Sequence, residues 1–338
     1  MYSKLYKKIL TLCLFFIPVI ISAQDVSFSG YGAAGITIYD RNTLNGYNQE
    51  AYYEGQFQAD IEYNKRISGQ LDFRGNSIDN SVELREFSMK LELYDRFNLK
   101  IGNLKKPFGY EYLLNRDELF TINRSYVQDH IADLGYGGRS ISVMGYYEYS
   151  KKHPEFPFSY YLSLFKNNSL FSGVVGRVQY HFDDDYSIDC DYLFQNKGGE
   201  QPINTQGFGA GFTIEKKSFD TNMEFFYVQD PFEGVRRQLI GEDDRVYSSG
   251  VKWFGAYTFD VGAELCKSIE PLLLIGYYRP DWDIPDNHVI QTVAGVNVYI
   301  HKKIRLRLNA DLRMTKNQYN DGYDTKESRG IFEIQARF

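Results

Sequence analysis

Residues 51–63 alternate apolar and polar side chains almost without a fault. Ala51, Tyr53, Gly55, Phe57, Ala59, Ile61 and Tyr63 fall on one face, and Glu54, Gln56, Gln58, Asp60 and Glu62 on the other. Successive side chains of a strand point to opposite faces, so this segment separates an oily surface from a wet one. At about 3.3 Å per residue such a strand is roughly 43 Å long, against about 17–20 Å for an ordinary soluble strand. Strands this long and this regular suit a transmembrane β-barrel, with apolar side chains toward lipid and polar ones toward the lumen.

Both ends of the chain agree with that expectation. Lys4, Lys7 and Lys8 precede an apolar stretch from Ile9 to Ile21, and Ser22-Ala23 closes it with small residues. The pattern predicts a secretory signal peptide over 1–23 and a barrel over 24–338. The apolar stretch is interrupted by Pro18 and is too short to cross about 30 Å of hydrocarbon. No other segment could be a membrane helix, which leaves a closed barrel as the way to satisfy the backbone in a bilayer. From Ile331, the residues Phe332, Ile334, Ala336 and Phe338 share one face, and Glu333, Gln335 and Arg337 the other. An amphipathic strand ending on an aromatic residue resembles the signal read by the barrel-assembly machinery of bacterial outer membranes.

Composition narrows the classes further. Mean hydropathy is low, as expected when only alternate residues meet lipid. The 29 Tyr and 25 Phe fit aromatic girdles at the two interfaces. Loss of the three signal lysines leaves 35 bases against 44 acids, a net charge of −9 that argues against nucleic acid. Cys190 and Cys266 suggest neither a thiol site nor a zinc site, and no metal or cofactor is expected. Enzyme chemistry finds little support: His130, His153, His181, His288 and His301 fall mostly in loops or turns, and His181 reads as a solvated inward residue.

Sixteen alternating segments can be counted, near 26–39, 51–64, 67–75, 82–94, 97–104, 139–149, 158–167, 173–182, 185–195, 205–215, 218–228, 246–259, 268–280, 288–300, 303–315 and 328–338. An even number suits a bacterial single-chain barrel. The fold expected is therefore all-β, a transmembrane antiparallel barrel of about sixteen strands with both termini periplasmic. Leu84 to Phe87 shifts phase and predicts a bulge, and the connection near 260–267 reads as longer than a tight turn. No segment reads as a helix. The connection over 105–138 is too long for a plain loop, and Leu113, Leu114, Phe120 and Ile122 are odd for one in free water. It is expected to fold inward and narrow the lumen.

The run Leu99-Lys-Ile-Gly-Asn-Leu-Lys-Lys-Pro-Phe-Gly-Tyr-Glu-Tyr112 resembles the phosphate-selective porins O and P. Leu84-Arg85-Glu86-Phe87, Asn123-Arg124-Ser125, Gly138-Arg139, Gly176-Arg177-Val178 and Ile269-Glu270-Pro271 add to the likeness, which covers most of the mature chain. The resemblance implies a sixteen-stranded, usually trimeric outer-membrane porin whose third loop folds inward and carries bases at the constriction. Lys105, Lys106, Arg116 and Arg124 match that loop, in company with the acids Glu111, Asp117, Glu118, Asp129 and Asp133.

On 303–315, Ile304, Leu306, Leu308, Ala310 and Leu312 would meet lipid, turning Arg305, Arg307 and Arg313 toward the lumen. Arg74, Arg85, Lys100 and Arg177 also fall on inward faces. Such a column could pass an anion from one guanidinium to the next, or could tie the wall together by pairing with carboxylates. The reading is a passive outer-membrane channel for small polar solutes, or for anions such as phosphate, embedded in lipid as a homotrimer. The alternative is a structural or partner-binding barrel with a blocked lumen. Removing Phe338 is expected to lower the outer-membrane level of the protein severalfold, measured by fractionation and immunoblotting; an unchanged level would count against the terminal signal.

Overall fold

The computed structural model describes residues 25–40, 48–151, 153–166, 172–197, 203–242, 245–317 and 327–338. The signal peptide expected over 1–23 lies outside them. The first strands are β1 (Asp25–Tyr39), β2 (Gln49–Asn64), β3 (Ile67–Asn76), β4 (Ser81–Tyr94) and β5 (Phe97–Lys105). After the long connection come β6 (Arg139–Tyr147), β7 (Phe158–Lys166), β8 (Gly173–His181), β9 (Tyr186–Lys197), β10 (Ile203–Lys216) and β11 (Phe219–Gln229). The wall is completed by β12 (Tyr247–Tyr257), β13 (Phe259–Ala263), β14 (Cys266–Arg279), β15 (His288–His301), β16 (Ile304–Lys316) and β17 (Arg329–Arg337). Among the described residues three short helices lie in connections: α1 (Tyr110–Leu113), α2 (Tyr126–Asp133) and α3 (Pro231–Leu239).

All strands belong to one antiparallel sheet in which β1 pairs with both β2 and β17, so the sheet closes on itself. Closure removes every edge, as a bilayer demands. β12 and β13 both pair with β14 and are two pieces of one strand, so the barrel has sixteen staves. The interruption at Thr258 lies beside Pro271, which has no N–H to offer a ladder. The connection expected near 260–267 is therefore corrected: the strand runs on to Ala263 and turns tightly at 264–265.

Alternation holds as the sequence implies. On β16, Arg305, Arg307, Asn309 and Asp311 are buried inward while Leu308 and Leu312 are exposed on the outer face. Tyr53, Ile141 and Leu162 are likewise exposed outside, which is the disposition of lipid-facing residues.

The phase shift in β4 is a bulge. Asp72 of β3 pairs with Glu86 and Phe73 with Leu84, which leaves Arg85 as the extra residue. Two features of the Ile-Gly-Asn-Leu run accommodate it. Gly102 takes φ +148°, and a Cβ there would lie 2.0 Å from the Phe87 carbonyl oxygen. Next to it, Asn103 Nδ2 donates to the Arg85 carbonyl oxygen at 2.6 Å. The motif glycine is thus required by a close backbone approach.

The absence of helices read from the sequence is also corrected. Ser125 caps α2, its hydroxyl accepting from Gln128 N, and Asp230 caps α3 through Phe232 N and Glu233 N.

Gly102→Val should destabilise the barrel by at least about 2 kcal/mol, since it combines backbone strain with a clash no side chain can relieve. In SDS gels of unboiled samples the folded form should be lost at a lower temperature than in the wild type, and an unchanged melting temperature would contradict this account.

Candidate functional site

The connection over 106–138 lies inside the barrel, and the resemblance motif supplies its fastenings. At the neck, Lys106 N donates to the Gly138 carbonyl at 3.0 Å, where Gly138 has φ +82°. Phe108 is fully buried between Tyr136 and Phe226, with ring centroids 5.5 and 5.8 Å away. Gly109, at φ +78°, donates its N–H to Asp191 Oδ2 at 2.8 Å, and Tyr110 N donates to Glu224 Oε1 at 2.6 Å. Glu111 accepts from Ser125 N, Ser125 Oγ and Lys252 Nζ at 2.9, 2.6 and 2.7 Å. Each residue of Lys-Pro-Phe-Gly-Tyr-Glu except Pro107 therefore holds the loop to itself or to the wall.

The far wall receives the rest of the loop. Val127, Ile131 and Leu134 of the loop pack with Phe165, Val175, Leu193, Val228 and Tyr278, all inward residues of β7–β14. Phe120 packs on Phe254, with centroids 4.6 Å apart. The inward glycines of β10 make room: a Cβ at Gly207 would lie 2.3 Å from the Tyr136 ring. Backbone groups find side-chain partners on the wall. Ile122 N donates to Asn309 Oδ1 and Tyr126 N to Gln291 Oε1, both at 2.7 Å.

The arginine column of β16 takes part in this anchoring. Arg307 donates to the carbonyls of Leu119, Phe120 and Thr121 at 2.8, 3.2 and 2.5 Å and pairs with Glu333 at 2.9 Å, both side chains fully enclosed. Arg305 donates to the carbonyls of Asp117 and Leu119 and to Gln335. Arg313, higher on the strand, pairs with Asp311 at 3.0 Å and lies over the Tyr126 ring. Arg177 is clamped between Asp189 and Asp191 at 3.1 and 3.0 Å and is 1% exposed. Lys106 is 4% exposed and turns under the loop, donating to the Gly135 carbonyl with its ammonium over Phe165.

A second group meets across the remaining space, between the loop and the wall of β2–β6. Arg74 and Arg116 converge on Glu54 at 2.6 and 2.7 Å. Lys100 pairs with Glu86 at 2.6 Å, and Arg139 stands 3.5 Å from Asp72 and 3.7 Å from Glu86. Lys105 Nζ donates to the Leu113 carbonyl and Asn115 Oδ1; Arg124 donates to the Leu114 carbonyl and lies over Tyr112. The side chain of Arg85, on the bulge, makes no hydrogen bond or ion pair with the described residues. Arg139 was absent from the sequence-derived set; its position just after the long connection, beside Gly138, was the available signal.

His181, read from the sequence as solvated, is corrected: its Nε2 lies 2.9 Å from Ser159 Oγ, and its ring stacks on Tyr149. The same hydroxyl accepts Tyr149 N at 2.8 Å and is buried.

No protein-family model matches the chain, and no curated protein matches it in sequence. Solved structures do match. The outer-membrane channel DcaP of Acinetobacter baumannii is 13% identical with a TM-score of 0.67, over 93% of this chain and 97% of that one. OmpF of Salmonella typhi, in a complex with daunomycin, is 13% identical at a TM-score of 0.63, over 94% and 99%. The anion-selective porin of Comamonas acidovorans is 11% identical at 0.62, over 93% and 99%. The shared feature at these identities is the fold, a closed antiparallel β-barrel.

Arg307→Ala would leave the Glu333 carboxylate buried without its cation and three loop carbonyls unpaired, at a cost of about 3–5 kcal/mol. Limited proteolysis should then cut within 106–138, a segment expected to resist cleavage in the wild type. Arg85→Ala, which breaks no side-chain hydrogen bond or ion pair with the described residues, should leave the loop as resistant as before.

Proposed function

We propose that the chain is an outer-membrane porin, a passive channel for small polar solutes that is narrowed by the inward loop and prefers anions at its narrowest level. The observation that carries this reading is the unequal placement of charge around the gap beside β2–β6. The cationic side chains are the ones open to it: Arg74, Lys100, Arg116 and Arg139 are 16, 22, 19 and 12% exposed. Their partners Glu54, Glu86 and Asp72 are 1, 8 and 3% exposed, enclosed behind them. A solute in the gap meets guanidinium and ammonium groups, with Arg85, Lys105 and Arg124 adding to the same side. Charged linings of this kind set ion preference in pores.

The porin fold of the solved structures supports the channel, and the name of the Comamonas protein supports the anion preference. The likeness of 99–112 to the phosphate-selective porins makes phosphate one such anion. In this reading residues 1–23 direct export, the assembly machinery inserts the barrel into the outer-membrane bilayer, and three copies associate. Arg305 and Arg307 act through the position of the loop, while Arg74, Arg85, Lys100, Lys105, Arg116, Arg124 and Arg139 act on the solute.

Single-channel recording in a planar bilayer tests this. Shortening the loop within 113–122 should raise conductance while the sixteen staves still close. Arg85→Gln should lower the anion-to-cation permeability ratio, read from the reversal potential in a salt gradient, with little change in conductance at 1 M salt, where screening acts over about 3 Å. A barrel that folds but passes no current would overturn the channel reading in favour of a structural or partner-binding barrel.

A further inference from the structure

We infer that the lumen carries two belts of opposite charge in series along the β1–β7 wall, so that the pore rectifies ionic current. The inference rests on the channel reading above and adds a direction to it.

The upper belt is the basic gap already described, with Arg74, Arg85, Lys105, Arg116, Arg124 and Arg139 facing Glu54, Asp72 and Glu86; Lys100, paired with Glu86, stands between this belt and the next. The lower belt lies toward the periplasmic ends of the same strands. Asp25, Asp60 and Glu62 line a cavity of about 280 Å3, and Glu92, Asp95 and Glu148 an adjoining one of about 520 Å3; the two share Lys90 and Tyr146, and Lys100 and Arg66 also line them, so three bases stand against six acids. Glu92 pairs with Lys90 at 2.9 Å. Asp25, Asp60, Glu62 and Glu148 form no ion pair with the described residues. The upper belt therefore has a surplus of positive charge and the lower one a surplus of negative charge.

The belts are far enough apart to act separately. Arg74 pairs with Gln56 on β2, and Glu62 is six residues further down that strand. At about 3.3 Å per residue and a strand tilt of about 40°, the separation along the pore axis is roughly 15 Å. The screening length is about 10 Å at 0.1 M salt. With the periplasmic side positive, cations enter through the acidic belt and anions through the basic belt. Each ion meets its attracting belt first, and carriers accumulate between the belts. With the opposite polarity each meets its repelling belt first, and the region between is depleted.

The test is the current–voltage relation of single channels of the full barrel in KCl. Orientation is assigned in a C190S/C266S background by biotinylating Asp286→Cys, in the outer connection, and finding the chamber from which streptavidin alters the current. At 0.1 M KCl the current should be about twofold larger with the periplasmic side positive, and the ratio should approach one at 1 M, where the screening length is about 3 Å. D25N/D60N/E62Q removes three carboxylates without breaking an ion pair and should bring the ratio at 0.1 M to one while the channel stays open. Glu62→Lys, a single reversal, should move it the same way if the triple variant fails to fold. A symmetric wild-type current at 0.1 M, the opposite sense of asymmetry, or a ratio unchanged in these variants would overturn the inference and leave the channel reading standing. The absence of any current would remove both.

Discussion

A chain segment folded into the lumen of a barrel has to satisfy its own backbone. Over 106–138 there is little regular structure to do so: α1 and α2 account for some groups, and the carbonyls of Asp117, Leu119, Phe120 and Thr121 point at the wall. The wall answers with side chains that carry several donors on one rigid plane. Arg307 serves three consecutive carbonyls while keeping its pair with Glu333. Tyr52 in turn donates to the other oxygen of Glu333 at 2.8 Å. An unpaired peptide group in such a place costs about 1–3 kcal/mol, so a long loop is held inside only if nearly every group is met. The inward charges of β8–β12 and β16–β17 are therefore mostly structural, and the position of the loop depends on them.

That allocation of charge decides where the passage lies. The loop lays its apolar side chains, Phe108, Val127 and Ile131 among them, on inward apolar residues of β7–β14. One side of the lumen is thereby filled with a small hydrophobic core. The space left over runs along β2–β6, where the inward residues are charged and the loop offers Arg116 and Arg124. Burial explains the sign of that surface. A carboxylate enclosed beneath guanidinium groups has its field compensated locally, while the outer faces of the same guanidinium groups still reach water. Equal numbers of acids and bases on a wall need not give a neutral passage when the two stand at different depths.

Much of the fold was legible because a barrel strand writes its geometry in a period of two. The alternation on β2 and β16 gave the inward and outward sets residue by residue, and the slip at Leu84 to Phe87 marked the bulge at Arg85. Two things were not legible. The helices of the connections were missed although their caps, Ser125 and Asp230, stand in the sequence; helices of eight and nine residues leave too short a periodic signal among long strands. The division of inward arginines into anchors and pore-facing groups was hidden for a different reason. Arg305 and Arg74 occupy equivalent faces of their strands, and only the path of the loop across the lumen separates them. That path depends on contacts more than a hundred residues apart, such as Tyr110 N with Glu224 and Ile122 N with Asn309. Periodicity carries no information about such pairs.

The motif residues mark the one place where the loop's path was written locally. Gly102 admits the β4 bulge, Asn103 holds its carbonyl, Lys106 closes the neck, and Gly109 brings its N–H against Asp191. All lie within eight residues of one another, yet they act on different layers: the wall, the neck and the lumen. The bulge they accommodate also leaves the Arg85 side chain without a hydrogen-bond or ion-pair partner among the described residues. Its neighbours Glu86 and Arg74 are both paired, so the extra residue adds a cation that the pairing pattern has no acid to match. A local irregularity in the strand thus becomes a net positive charge at the level where the loop narrows the lumen. The same short run that fixes the constriction in place also sets the sign of its surface.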